Sequence, residues 1–224
     1  MLLATCTPNT DSRSDRARSR FSGDGLEGLS IGNLASALAM SKSGTYAHFG
    51  SKQDLQLATV DAAERIFQAE VVEPALATEP GLAQVVAVGD AFFDQLLRRT
   101  FPGSCLFAGA ALEMGTRPGP VREQVVAFQV RLTALIRQFV VTALDQHELA
   151  ADEDADVLNF ELNGIILAAN TNFVLREDPA ALDLARTVVR RRLGMATATR
   201  PPAKGRNHPV TSRASRSPEN IQRE

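Results

Sequence analysis

Tryptophan is absent from the 224 residues, tyrosine occurs once, and aromatic residues make up 5% of the chain. The apolar load of 44% therefore falls on Leu, Ala and Val, as it does in helical proteins. Cysteine occurs twice, at Cys6 and Cys105, in unlike and distant stretches, which argues against a disulfide framework. The three histidines lie far from either cysteine at ligand spacing, so no zinc site, no other metal and no cofactor is expected. Charge of one sign is lacking too. A formal net charge of −2 gives no whole-chain field toward nucleic acid or membrane, and any such binding has to come from local patches. No apolar run approaches the ~18 residues of a membrane span, and the first residues lack the order of a signal peptide. The expectation is a soluble cytoplasmic protein without membrane contact. Phosphate-loop glycines, a nucleophile elbow and a His set beside paired carboxylates are all missing, so an enzyme is not expected.

What is present is helical periodicity without any alternating strand pattern, and the class expected is all-α. Residues 1–24 are polar and rich in Ser, Arg and Asp. Residues 196–224 carry four prolines, with six basic residues against two acidic. Both ends read as disordered, and the tail as solvated rather than DNA-bound. Between them, Ser30 is placed to cap a helix over Ile31–Leu38. Ser41–Phe49 reads as a second short helix. Ser51 caps a third, which runs toward Val72 until Pro74 and "TEPG" at 78–81 stop it. Further helices are expected from Leu82 to Arg99, from Cys105, from Val121 to Gln146, from "ADEDADV" to Leu175, and after Asp178 with Pro179 in its first turn.

The two short helices over residues 30–49, joined by a tight turn, form a helix-turn-helix pattern. Its second helix would lie in the major groove. Lys42, Ser43, Gly44 and Thr45 offer one ammonium, two hydroxyls and bare backbone. Tyr46 and His48 reach phosphates through a phenol and an imidazole, Phe49 anchors the helix, and Lys52 adds a charge at the next helix N-terminus. On residue types alone, Tyr46, His48 and Phe49 read most simply as helix-end packing.

The stretch "LSIGNLASALAMSKSGTYAHFGSKQDLQLATVDAA" resembles the TetR family of transcriptional regulators. The resemblance rests on Tyr46, His48, Phe49, Ser51, Lys52, Asp54 and Leu55, and covers about 35 residues. It implies that Lys42, Ser43, Gly44 and Thr45 face base edges or nearby sugars, and that Tyr46, His48 and Lys52 hold phosphates. It also implies an N-terminal helix-turn-helix head followed by a larger helical domain that binds a ligand and dimerises as a four-helix bundle. The helices from Val121 and Asp152 are the candidates for that bundle. Ala39 stands where the family often has a turn glycine. Phe21 and "GLEG" at 25–28 match the usual end of the family's first helix, whereas "TPNTDSRSDRARSR" upstream shows no apolar face.

The organisation expected is residues 1–24 disordered or a degenerate first helix, 25–66 the DNA-binding head, 67–195 the effector and dimerisation domain, and 196–224 a basic tail. Phe92, Phe93, Phe107, Met114, Phe128 and Phe173 are candidates to line an effector cavity, with plain core as the other reading. Phe139, Asn163 and Asn170 are candidates for the dimer interface, and the two asparagines alternatively face a ligand. Glu113 and Arg117, four apart, read as a surface pair or as polar groups at a pocket mouth. Cys105 reads as a buried small hydrophobe or as a redox-sensing thiol. The function expected is a homodimeric regulator, a repressor on a palindromic operator in double-stranded DNA, released by a small apolar effector. The alternative is a dimeric ligand-binding protein that has lost specific DNA binding with its first helix.

Overall fold

In the computed structural model of the chain, the described residues are 25–30, 32, 35, 41, 43, 47, 49–101 and 105–195. Among them the fold is helical and contains no strand: α1 (Gly25–Gly28), α2 (Lys52–Phe67), a π-helical segment (Gln68–Val72), α3 (Glu73–Leu76), α4 (Leu82–Leu97), α5 (Leu106–Met114), α6 (Pro120–Asp145), α7 (Ala155–Arg176) and α8 (Ala180–Arg192). The expected all-α class is what the chain adopts. The polar ends, and most of the two short helices of the head, lie outside the described residues.

Ser51 starts α2 as its sequence suggests. Its hydroxyl accepts from the Asp54 backbone N–H at 3.1 Å and donates to the Asp54 carboxylate at 2.6 Å. The helix does not stop at Pro74. A proline ring inside a regular helix clashes with the carbonyl four residues back and removes a hydrogen bond. Here the five-residue π segment immediately upstream changes the bonding register, so Pro74 falls in the first turn of α3 and the rod continues to Leu76. The expected boundary at residue 66 therefore falls within one continuous helical rod.

Gly81 then turns the chain into α4 with φ at +99°. A side chain there would meet the Glu148 carboxylate at 2.4 Å, because Glu148 reaches over to accept from the Leu82 N–H at 2.7 Å. Glu148 thus caps α4 from the far end of α6.

By length and composition, α6 is long and apolar enough to cross a membrane, contrary to the run-length reading. Its physical setting is a layer of the helical body. Val121, Val125, Phe128, Ile136, Phe139, Val140 and Ala143 point into the core, and Arg131 and Arg137 pair with Glu64 and Asp156. It packs against α2, α4, α5 and α7. Asp154 caps α7 by accepting from the N–H groups of Asp156 and Val157, and Asp178 accepts from Ala180 at the start of α8. Two ion clusters hold α8 in place. Arg186 and Arg190 close on Asp90 of α4, both at 2.6 Å, and Arg192 binds Glu153 before α7.

Candidate nucleic-acid interface and its tie to the helical body

Leu26, Leu29 and Leu55 of the head are buried in the common core, against which Phe49 packs from a half-buried position, and Ala35 is buried too. Gln56, itself buried, donates to the Leu26 carbonyl at 2.7 Å, so the end of α1 is bonded to the rod as well as packed on it. Of the expected DNA contacts, Lys42, Gly44, Thr45, Tyr46 and His48 lie outside the described residues. Ser43 is helical and exposed, with its hydroxyl 3.2 Å from that of Ser41. Lys52 is half exposed at the start of α2. Its ammonium donates to the Glu27 carbonyl at 2.7 Å and lies 3.5 Å from the Glu27 carboxylate. In this state the lysine holds α1 to α2, and reaching a phosphate requires it to leave or share that carbonyl.

Glu27 joins the head to the body. Its carboxylate meets Arg117 at 2.7 Å, and that guanidinium, with Lys52 beside it, holds the carboxyl below its usual range. Glu113 completes the junction. It accepts from the Leu26 N–H at 2.8 Å and the Glu27 N–H at 3.3 Å, across 87 and 86 residues of chain. Glu113 and Arg117 are therefore not a pair with each other, since both bind α1. The only sequence signal for this was Gly25, the first residue of "GLEG". It takes φ +63°, and a Cβ there would lie 1.5 Å from a Glu113 carboxylate oxygen.

The adjoining face of α5 enters the core, where Phe107 joins an aromatic cluster. Phe107 stacks on Phe128 with centroids 3.5 Å apart, and Phe67 meets Phe92, Phe107 and Phe128 edge-on or tilted. Phe92, Phe93, Phe107, Met114, Phe128 and Phe173 are all buried, and the Phe93 and Phe173 rings carry the guanidinium groups of Arg186 and Arg99. Phe67, absent from the sequence-based set, stands at the centre of the cluster.

Phe139 and Asn170, expected at the dimer interface, are used inside the chain. Phe139 is core, and Asn170 accepts from the Cys105 N–H at 3.1 Å. Asn163 donates to the Asn159 carbonyl at 2.8 Å, and Asn159 donates to the Thr133 carbonyl of α6. Asn170 and Asn159 thus tie α7 to the start of α5 and to α6, whereas Asn163 and Asn172 bond within α7 itself. Outward-facing apolar side chains concentrate on α7 and α8 instead. Val157, Phe160, Leu167 and Leu175 line one face of α7, and Leu184 and Val188 lie on α8, with Phe160 81% exposed. A smaller pair, Val126 and Val130, is exposed on α6. Burial raises the Cys105 thiol pKa, so it is a small core side chain and no thiolate at neutral pH.

Two family models match the chain. Residues 15–59 match the one described as bacterial regulatory proteins, tetR family, and residues 81–189 match the tetracyclin repressor-like C-terminal domain. Together they span more than half of the sequence. The chain belongs to the TetR family of transcriptional regulators. Solved TetR-family structures share its fold. A regulator from Chloroflexus aurantiacus aligns at a TM-score of 0.73 and 24% identity, over 81% of this chain and 93% of that one. One from Streptomyces coelicolor aligns at 0.68 and 22%, over 81% and 92%. AibR aligns at 0.62 and 18%, over 80% and 97%. No curated protein matches the chain. The TetR N-terminal match begins at residue 15, inside the stretch whose polar sequence suggested a degenerate first helix, and loss of DNA binding is accordingly not the favoured reading.

Proposed function

We propose that the protein is a homodimeric repressor that binds a two-fold operator through its helix-turn-helix heads and leaves it when a small effector occupies the helical body. The observation that carries the reading is the position of α5. One face inserts Phe107 into the aromatic cluster and buries Met114 in the core, while Glu113, and Arg117 just beyond the helix, bind the backbone and side chain of α1. A change of packing around those rings moves the same rigid helix that holds the head. The effector has to bind the two head arrangements with different affinity, since otherwise nothing is transmitted.

Among the structural relatives, AibR was solved with isovaleryl coenzyme A and operator DNA, and a regulator from Saccharomonospora viridis with choline. The reading gives this chain the same two kinds of partner, duplex DNA at Lys42, Ser43, Gly44, Thr45, Tyr46, His48 and Lys52, and an effector beside the phenylalanine cluster.

The apolar faces of α7 and α8 support the dimer, because exposed contiguous apolar surface marks an interaction site. Gly164 lies on the same face of α7. A glycine within a helix costs ~1 kcal/mol relative to alanine, and a Cβ there would meet nothing within 4 Å. The protomer has no use for the missing side chain. A second copy crossing at that point does, since it brings the two helices into close approach around a two-fold axis. Selection of genomic fragments by the purified protein at about 150 mM salt, followed by transcript measurement in a deletion strain, tests the proposal. A palindromic motif with raised transcription from the adjoining promoter is expected. Activation in place of repression, or no enriched motif, overturns it.

A further inference from the structure

Gln95 on α4 is 1% exposed, and its side-chain carbonyl Oε1 has no hydrogen-bond partner. Buried polar atoms in folded proteins nearly always have one, so an orphan acceptor calls for a reason. The amide cannot simply be turned around. Its Nε2 donates to the Glu70 carboxylate at 3.3 Å, and a flip would set two acceptors against each other. Glu70 is itself lopsided. Its Oε2 takes the Gln95 bond together with donors from Arg98 at 2.9 Å and Thr100 at 2.8 Å, while its Oε1 takes none among the described residues.

Position gives the pair its interest. Glu70 belongs to the π segment, and π turns inside helices recur at functional sites. It lies three residues after Phe67, and Gln95 lies three residues after Phe92. The two rings touch at 6.2 Å between centroids. Residues three apart share a helix face, so the polar pair and the ring pair lie on one seam between the rod and α4. The seam thus has an apolar stretch and, one turn away, one buried acceptor oxygen without a partner, Gln95 Oε1, beside the negative charge of the partly exposed Glu70 carboxylate.

From this we infer that the seam is the polar anchor of the effector site and selects a ligand with an aromatic or alkyl body ending in a hydrogen-bond donor, a hydroxyl or an ammonium group, and discriminates against a carboxylate. The donor would bond to Gln95 Oε1 and Glu70 Oε1 while the body lies along Phe67 and Phe92. This rests on the effector-release reading and adds the chemistry of the ligand.

The test uses the full-length protein and three probes sharing one body: 4-butylbenzyl alcohol, 4-butylbenzylamine and 4-butylbenzoate. Calorimetry and thermal shift are recorded for wild type, Gln95→Leu and Gln95→Glu. The alcohol and the amine are expected to bind and raise the melting temperature in proportion to concentration, and the benzoate not to. Gln95→Leu is expected to weaken the alcohol about tenfold, the worth of one hydrogen bond left unmade. Gln95→Glu, which keeps the side-chain shape, is expected to shift preference toward the amine. Equal binding of the benzoate, undiminished affinity in Gln95→Leu, or no binding of either donor overturns the assignment. Operator binding measured in the same samples separates the two claims. Donor probes that bind without releasing DNA leave the site standing and refute effector release. Release driven by the benzoate does the reverse.

Discussion

The Glu113 carboxylate of α5 accepts a hydrogen bond from the Leu26 N–H at 2.8 Å, joining residues 87 apart in sequence. With the Arg117–Glu27 ion pair at 2.7 Å, it links the body to the head. Glu113→Ala leaves two α1 N–H groups without their acceptor, and hydrogen bonds to a charged group are worth ~1.5–3 kcal/mol. The expected result is a head that is cleaved earlier in limited proteolysis and an operator affinity reduced roughly tenfold, with the melting of the body unchanged. Gly25→Ala should do the same from the other side. It places a side chain where Glu113 sits and adds the ~1–2 kcal/mol that a left-handed conformation costs an L-residue.

Ser51 tests the start of the rod. Its hydroxyl both caps Asp54 and donates to the Asp54 carboxylate. Ser51→Ala should lower stability by ~1 kcal/mol, which is a fall of about 2–4 °C in Tm for a chain of this size. Scanning calorimetry reads it directly, and Ser51→Asp, another capping residue, should recover most of the loss.

The pair of Glu153 with Arg192 gives a pH dependence of known sign. The Arg192 guanidinium, bonded through both nitrogens, holds the Glu153 carboxyl below its usual range despite the opposing effect of burial. A carboxylate with a lowered folded-state pKa contributes stability that is complete above its unfolded value of ~4.3 and is lost as pH falls through the folded value. Urea unfolding of wild type and Glu153→Gln should therefore differ by a constant amount from neutral pH down to about 5 and converge in more acidic solution. A difference that grows below pH 4 contradicts the pairing.

Gly164 separates dimer from monomer effects. In an isolated helix, Gly164→Ala is expected to stabilise, because alanine is favoured over glycine by ~1 kcal/mol. At a helix crossing, Gly164→Leu should raise the dimer dissociation constant about tenfold or more in sedimentation equilibrium, each tenfold being ~1.4 kcal/mol. An unchanged dimer constant places the crossing elsewhere on α7 and α8.

Much of the fold was legible because it is local. Ser51 and Asp178 announced two helix starts by side-chain chemistry alone, and the helix read from Val121 to Gln146 is the one found from Pro120 to Asp145. Pro74 misled, because the π segment that accommodates it has no signature in residue type. Asn170 of α7 misled for a different reason. A polar side chain in an apolar helix signals a hydrogen bond, and only the packing of the start of α5 against α7 decides that the partner of Asn170 is Cys105 within the chain rather than a second copy. The candidate DNA contacts were readable as a motif. The links of Glu113 and Arg117 to α1 were not, since they depend on where two segments nearly 90 residues apart come to lie.

The central claim is that two heads act together on one DNA site. The measurement that tests it most directly is a footprint on a selected fragment combined with the mass of the complex at physiological salt. The account predicts two protomers on one palindromic site, with half-sites one helical turn of about 10 bp or a multiple of it apart, and loss of the complex in Tyr46→Phe on all sequences alike, as for a phosphate contact. A single protomer per site, or protection without sequence preference, would contradict it.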